Sequence, residues 1–419
     1  MSKLIIDGGN RLCGSVNVQG AKNSILSLIC ASVLYDGKVY IKNCNKLTDI
    51  TTMCEIVSKL GGKYSFLDNV LCLDCSSLYS FNLDSELSKK VRSSFFLAGA
   101  LLSRFKRAEV FLPGGCKIGG RPVDVHIDGF KQLGVKVEEK EDKYLLSCDK
   151  IYGNVVKLSM PSVGATENLI MASVFCDGQV VIKNAAKEPE IVDLQNLLNS
   201  FGFDVKGAGT SEIVINGVEK VGKESVIFIP IGDRIEAGTY LLSACSTFGE
   251  IEVNGICYKN ILPLLQKFRK NHCKMYISND KIYINYNTRA KGLDVIETGP
   301  YPGFPTDLQA PLTAFACKCN GKTIIRERVF ENRFAHALEL NKMGANIIVS
   351  KDEMQIMGVK DLYGSNVSAT DLRAGACLVI AGLSAIGKTV IDNVELIDRG
   401  YYKIEKVLSS LGAKIKRKN

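Results

Sequence analysis

Gly37-Lys38-Val39-Tyr40-Ile41-Lys42-Asn43 decides the fold, because the chain writes this stretch repeatedly. A Gly turn leads into a short segment in which apolar and polar residues alternate, the pattern of a half-buried strand. It returns at 178–184, 249–255, 321–327 and 387–393, and in degenerate form at 107–112. A second marker keeps the same step. Leu60-Gly61-Gly62, Leu133-Gly134-Val135, Phe201-Gly202-Phe203, Met343-Gly344-Ala345 and Leu411-Gly412-Ala413 each end an apolar helical run and precede an alternating stretch. One interval is doubled, and Lys270-Asn271, after the helix-like 261–269, sits near its middle. The third marker is a polar group opening an apolar run: Lys22-Asn23, Arg92-Ser93, Thr166-Glu167-Asn168, Glu236-Ala237-Gly238, Thr306-Asp307 and Thr370-Asp371-Leu372-Arg373. Three markers sharing a period of about 70 residues mean one supersecondary unit copied along the chain. Helix N-termini attract anions through their free N–H groups and dipole, so the six polar starts are candidate anion-facing positions.

Six units fill the 419 residues and divide into three and three. A chain of this length exceeds a single core. The interruption at Phe228-Ile229-Pro230-Ile231-Gly232 places one domain at 22–229 and the other at 1–21 with 230–419, where the first strands (4–6 and 15–18) complete the last unit. Fifteen cysteines, an odd and dispersed set, with no leading signal segment, point to reduced thiols and a cytoplasmic home. No apolar run reaches transmembrane length, so no membrane partner is expected. A net charge of +9 suits small anions. With no Trp and no basic stripe interleaved with aromatics, nucleic acid is not expected as a partner. The basic end, 414–419, reads as a solvated, frayed terminus. Oligomeric state is left open.

Two strings invite misreading. Gly382-Leu383-Ser384-Ala385-Ile386-Gly387-Lys388-Thr389 has P-loop spacing, but a helical run precedes it and a strand follows, the reverse of what a P-loop needs. Cys72/Cys75 and Cys317/Cys319 are close pairs, yet only three His exist and no second spaced pair accompanies either, so no metal is expected. His126 and His336 read as residues that orient neighbouring side chains.

The sharpest local signal is Leu112-Pro113-Gly114-Gly115-Cys116-Lys117-Ile118-Gly119-Gly120-Arg121-Pro122-Val123-Asp124. Four Gly and two Pro exclude a helix or a central strand. The segment reads as a mobile, exposed loop that sets one Cys between cations, and Lys117 and Arg121 favour the thiolate of Cys116. The other fourteen cysteines are expected to be mostly buried.

Together, Lys22-Asn23, this loop, Phe304-Pro305-Thr306-Asp307, Phe330-Glu331-Asn332-Arg333-Phe334, Thr370-Asp371-Leu372-Arg373 and Ile397-Asp398-Arg399-Gly400-Tyr401 resemble the enolpyruvyl transferase family, in order and over essentially the whole chain. The likeness is strongest to the branch that acts on a nucleotide sugar. The Gly-Gly-Cys loop and the lack of a Gly-Asn-Ala-Gly-Thr-Ala stretch set it apart from the shikimate-pathway branch. The resemblance implies an α/β fold: a two-domain inside-out α/β barrel built from six βαβαββ repeats, three per domain, with the active site in the cleft between them. It implies transfer of the enolpyruvyl group of phosphoenolpyruvate to the 3-hydroxyl of UDP-N-acetylglucosamine, with phosphate released by addition–elimination. This is the first committed step of bacterial peptidoglycan synthesis, and it uses no cofactor and no metal.

Carried over residue by residue, the resemblance makes Cys116 the proton donor, with Lys22, Asn23, Arg121 and Arg399 around phosphoenolpyruvate. Asp307 becomes the base at the sugar hydroxyl. The nucleotide-sugar site is lined by Asn23, Arg92, Arg121, Pro122, Val123, Asp124, Val125, Ser162, Val163, Gly164, Asp307 and Val329. Asp371, Arg373 and Arg333 take supporting and closure roles. Asp307 and Asp371 could instead cap helices, and Arg92 could be a solvated cation at a helix start. Glu188 and Glu190, beside Pro189, read as interdomain or surface groups. Met160 stands where some members carry Lys, so no diphosphate contact is expected from that position.

Overall fold

The computed structural model describes residues 2–112 and 123–418, which fall into two compact units. One comprises 20–112 and 123–231, the other 2–19 and 232–418. Each unit holds three sheets, and in both the element order repeats the strand–helix–strand–helix–strand–strand scheme. The repeated glycine has a concrete role. Gly61, Gly134, Gly202, Gly344 and Gly412 all have φ between 79° and 106°, ending a helix in the left-handed region that costs a Cβ-bearing residue energy. The doubled interval is explained by His272, which takes this conformation (φ 57°) without being Gly.

The alternating stretches are strands. In Lys38–Ile41, Val39 and Ile41 face the core while Lys38 is exposed, and Val39 pairs across to Leu73. The helices opened by polar groups form the interior. In the second unit, Arg234–Ser246, Gln309–Lys318 and Leu372–Ser384 pack on one another, and the first two are buried on every side. A helix buried all round has no use for an amphipathic stripe, which is why apolar residues occur on every side of these runs and their polar residues are buried too. In the first unit, Leu97–Phe105 packs on both Val163–Ser173 and Lys22–Ser32.

The opening strands serve two sheets of the second unit. Lys3–Asp7 runs antiparallel between Lys388–Asp392 and Lys414–Lys418, while Cys13–Asn17 pairs in parallel with Glu250–Asn254. This corrects the reading of 414–419 as a frayed end. Lys414–Lys418 is a strand, and Arg417 makes a two-bond fork to Asp398 (2.8 and 2.7 Å) and reaches Glu405. The P-loop string is a helix running to Ser384 and a strand starting at Lys388. Two helices begin earlier than their polar markers suggest, because the capping acceptors lie upstream. Ser162 caps Val163–Ser173, and Asp233 caps Arg234–Ser246. Among the described residues no helix is long and apolar enough to cross a membrane.

Candidate active site

In the first unit, Lys22 is the first residue of Lys22–Ser32 and is only 7% exposed. Its ammonium meets Asp49, in the first turn of Thr48–Lys59, at 2.5 Å. A buried lysine needs such a partner to remain charged. Asn23, the next residue, is exposed. Cys116, Arg121 and Pro122 lie outside the described residues.

The other expected nucleotide-sugar residues of this unit occupy three converging helix starts. Arg92 opens the short helical turn Arg92–Phe96; Asp124 and Val125 begin Asp124–Gln132, preceded by the buried Val123; Ser162, Val163 and Gly164 open Val163–Ser173. One buried side chain ties the three together. Asn168 accepts from the Gly99 N–H (2.8 Å), donates to the Phe95 carbonyl (3.0 Å) and meets Nδ1 of His126 at 2.9 Å. The two Asn168 contacts to Gly99 and Phe95 orient its amide so that the NH2 faces His126, which leaves the imidazole proton on Nε2. Burial, helped by the nearby Arg92 charge, lowers the His126 pKa to about 3, so the ring is neutral. A Cβ on Gly164 would come within 2.5 Å of the Phe96 ring and 2.9 Å of His126, so only Gly lets this helix start approach so closely. The expected role of His126 as an orienting group thus has a structural counterpart. Asn168, expected from its marker at a polar, anion-facing helix start, is instead fully buried within Val163–Ser173. Glu190, read as a surface or interdomain group, is buried in the first turn of Pro189–Phe201, with Glu188 half-buried before it.

In the second unit, Asp307 sits in the turn Thr306–Leu308 and caps nothing. Its two carboxylate oxygens are each taken by a guanidinium: Arg333 donates to Oδ1 at 2.7 Å and Arg373 to Oδ2 at 2.9 Å. Both arginines are about 95% buried, while a quarter of the Asp307 side chain stays open. Burial would push the carboxyl up, but the Arg373 and Arg333 charges outweigh it and hold Asp307 well below the usual carboxylate range. Arg373 also donates to the Tyr401 hydroxyl, which meets Thr239 at 2.8 Å. Asp371 does cap, accepting from the Arg373 and Ala374 N–H groups, and so fixes the helix start that aims Arg373. Val329 is exposed just after the strand Lys322–Arg326. Arg399 ends the turn Val394–Arg399, whose Asp398 is gripped by Arg417.

None of the fourteen described cysteines is in a disulfide. Ten are buried, and burial pushes Cys44, Cys75 and Cys319 up to about 12. Cys13 and Cys257 are exposed, exceptions to the expected burial.

The sequence model of the EPSP synthase (3-phosphoshikimate 1-carboxyvinyltransferase) family matches residues 6–408. UDP-N-acetylglucosamine 1-carboxyvinyltransferase 2 of Caldanaerobacter subterraneus subsp. tengcongensis is 46% identical over 417 residues, covering all of both chains. UDP-N-acetylglucosamine 1-carboxyvinyltransferase 1 of Clostridium acetobutylicum is 44% identical over 419 residues, again covering both chains fully. Among solved structures, the enolpyruvyl transferase NikO of Streptomyces tendae superposes with a TM-score of 0.88 at 24% identity, covering 99% of this chain and 98% of that one. EPSP synthase of Acinetobacter baumannii follows at 0.75 and 16%, covering all of both chains. The structural likeness fixes the fold alone, as an enolpyruvyl transferase fold. The family model and the end-to-end identity to the relatives place the chain in the EPSP-synthase-type enolpyruvyl transferase family, among the UDP-N-acetylglucosamine 1-carboxyvinyltransferases.

Proposed function

We propose that the protein transfers the enolpyruvyl group of phosphoenolpyruvate to the 3-hydroxyl of UDP-N-acetylglucosamine and releases phosphate, the first committed step of peptidoglycan synthesis, in the bacterial cytoplasm. The observation that carries this reading is Asp307, an ionised carboxylate with a partly open face, held by two buried arginines. Full-length identity to relatives bearing that name supports the choice of acceptor.

The reaction needs a proton at the methylene carbon of phosphoenolpyruvate, and the Cys116 thiol supplies it, becoming the thiolate that neighbouring cations favour. The sugar oxygen bonds to the adjoining carbon while its proton passes to Asp307, giving a tetrahedral adduct. The Cys116 thiolate then takes a methyl proton back, the C–O bond to phosphate breaks, the double bond re-forms on the sugar ether, and the departing phosphate carries off the proton held by Asp307. Two guanidiniums make Asp307 a weak base that lets its proton go readily. It therefore takes the hydroxyl proton only as the new C–O bond forms and is free again for the next turnover. Lys22, Asn23, Arg121 and Arg399 hold the phosphate and carboxylate of phosphoenolpyruvate; several cations suit a substrate carrying about three negative charges. Arg92, Pro122–Val125, Ser162–Gly164 and Val329 bind the nucleotide sugar, and no cofactor takes part.

The test is phosphate release from phosphoenolpyruvate with UDP-N-acetylglucosamine, run beside shikimate 3-phosphate. Release with the nucleotide sugar alone is the expected result. Release only with shikimate 3-phosphate, or with neither, overturns the proposal.

A further inference from the structure

Glu327 lies just beyond the strand Lys322–Arg326, is 4% exposed, and has no part in the chemistry above. Its carboxylate accepts four hydrogen bonds. Oε1 takes the Thr298 hydroxyl (2.7 Å), the Val329 N–H (2.8 Å) and the Phe330 N–H (3.2 Å); Oε2 takes the Thr306 hydroxyl (2.8 Å). Thr306 spends its only proton on Glu327, so its oxygen lone pairs are free to accept, and Arg333 Nη1 donates to them at 2.7 Å. The other Nη of Arg333 holds Asp307. A second route reaches the same arginine, whose guanidinium lies 5.0 Å from the centre of the Phe330 ring. The result is a continuous chain from Glu327 through Thr306 to Arg333 and Asp307, with a branch that folds the backbone at Val329.

From this geometry we infer that Glu327 is a positioning residue for the acceptor hydroxyl: it sets the Thr306 hydroxyl so that Arg333 is aimed at Asp307, and it fixes the turn that presents Val329. The inference rests on the proposed function, since Asp307 and Val329 matter only if the sugar binds there. A carboxylate is required because all four partners are donors. Glu327→Gln divides the role. Its amide oxygen stays with the three donors at Oε1, because turning the amide over would set an NH2 against two N–H groups. Its NH2 then faces Thr306, whose hydroxyl must turn away and lose the alignment that receives Arg333.

The experiment measures kcat, both KM values and urea unfolding for wild type, Glu327→Gln, Thr306→Val and the double variant. Glu327→Gln is expected to lower kcat about tenfold to a hundredfold, the scale of a small misplacement at a reacting group. KM for phosphoenolpyruvate should stay within about twofold, as no cation assigned to it is touched. Thr306→Val, which cuts the same link from the other side, should lower kcat similarly, and the double variant should fall no further than either single one. The inference is overturned if either variant keeps wild-type kcat, if the two losses multiply, or if activity falls only in proportion to the folded fraction. A wild-type enzyme that turns over UDP-N-acetylglucosamine beside unaffected variants refutes the inference alone. An inactive wild type removes the functional reading and the inference with it.

Discussion

Replacing Asp307 with Asn tests the centre of the site, because shape is kept while the charge is lost. In the folded protein the carboxylate neutralises two guanidiniums, at 2.7 and 2.9 Å, that are almost fully buried. The amide oxygen can still accept from one arginine, but its NH2 must then face the other. Stranding a buried charge costs about 3–5 kcal/mol, and the quarter of Asp307 open to solvent puts the expected loss toward the lower end, about 3 kcal/mol. The rate effect is a separate quantity. Removing a positioned base costs about 10²–10⁴ in kcat, equal to roughly 3–5 kcal/mol of activation free energy. Phosphate release at saturating substrates, normalised to the folded fraction from urea unfolding, separates the two. If the Asn variant is less stable but turns over near the wild-type rate, Asp307 is only the counter-ion of Arg333 and Arg373, and its role as base is refuted.

Cys116→Ala should lose about 10²–10⁴ in kcat while Cys116→Asp keeps part of it, since a carboxylic acid can also donate a proton; full turnover by the Ala variant removes Cys116 from the mechanism. Alkylation mapped by mass spectrometry, with an epoxide mimic of phosphoenolpyruvate such as fosfomycin, should mark Cys116 ahead of the exposed Cys13 and Cys257, and modification of those two first would contradict the assignment. Lys22→Ala and Arg399→Ala should raise KM for phosphoenolpyruvate far more than KM for the nucleotide sugar, at a cost of about 2–5 kcal/mol each; equal effects on both would show that these cations do not discriminate. His126, lowered to about 3 from an ordinary 6.5, gives stability that is present above pH 6.5 and lost as pH falls toward 3, because the unfolded chain gains a proton that the folded one refuses. The stability difference between wild type and His126→Gln, in which all other titrations cancel, should therefore shrink by about 1.4 kcal/mol per pH unit below pH 6, and a pH-independent difference would mean the ring takes up its proton as readily in the fold as in the unfolded chain.

The architecture was legible because it is repetitive. A glycine after the second helix of five repeats and an alternating stretch after the turn are local requirements, and each leaves a local mark. The fourth repeat hid its mark because His272 accepts the left-handed conformation that Gly takes elsewhere. Helix starts were read late where the capping side chain, such as Ser162 or Asp233, lies ahead of the more conspicuous charges. At the site, Asp307, Arg333 and Arg373 were each visible as motif residues, but their mutual clamp was not. It depends on segments of two successive repeats meeting in space, Asp307 and Arg333 from one and Arg373 from the helix that opens the next. The same holds for Asn168 and Glu327, whose importance lies wholly in distant partners. The basic run 414–418 looks solvated in the sequence for the related reason that its strand partner Lys3–Asp7 and the Asp398 that holds Arg417 are distant in the chain.

The pairing of Lys3–Asp7 with Lys388–Asp392 and Lys414–Lys418 has a consequence for biosynthesis. Residues 20–112 and 123–231 find all their described sheet partners among themselves, so that half can finish while translation continues. The opening strands leave the ribosome well before their neighbours at 250–254, 388–392 and 414–418 are made. At about 5–20 residues per second they wait tens of seconds, with Leu4, Ile6 and Val16 unburied, and nascent-chain chaperones have that interval in which to hold them. A circular permutant that starts at residue 232 and joins residue 418 to residue 2 through a short linker would abolish the wait, and its dependence on such chaperones during synthesis would fall accordingly.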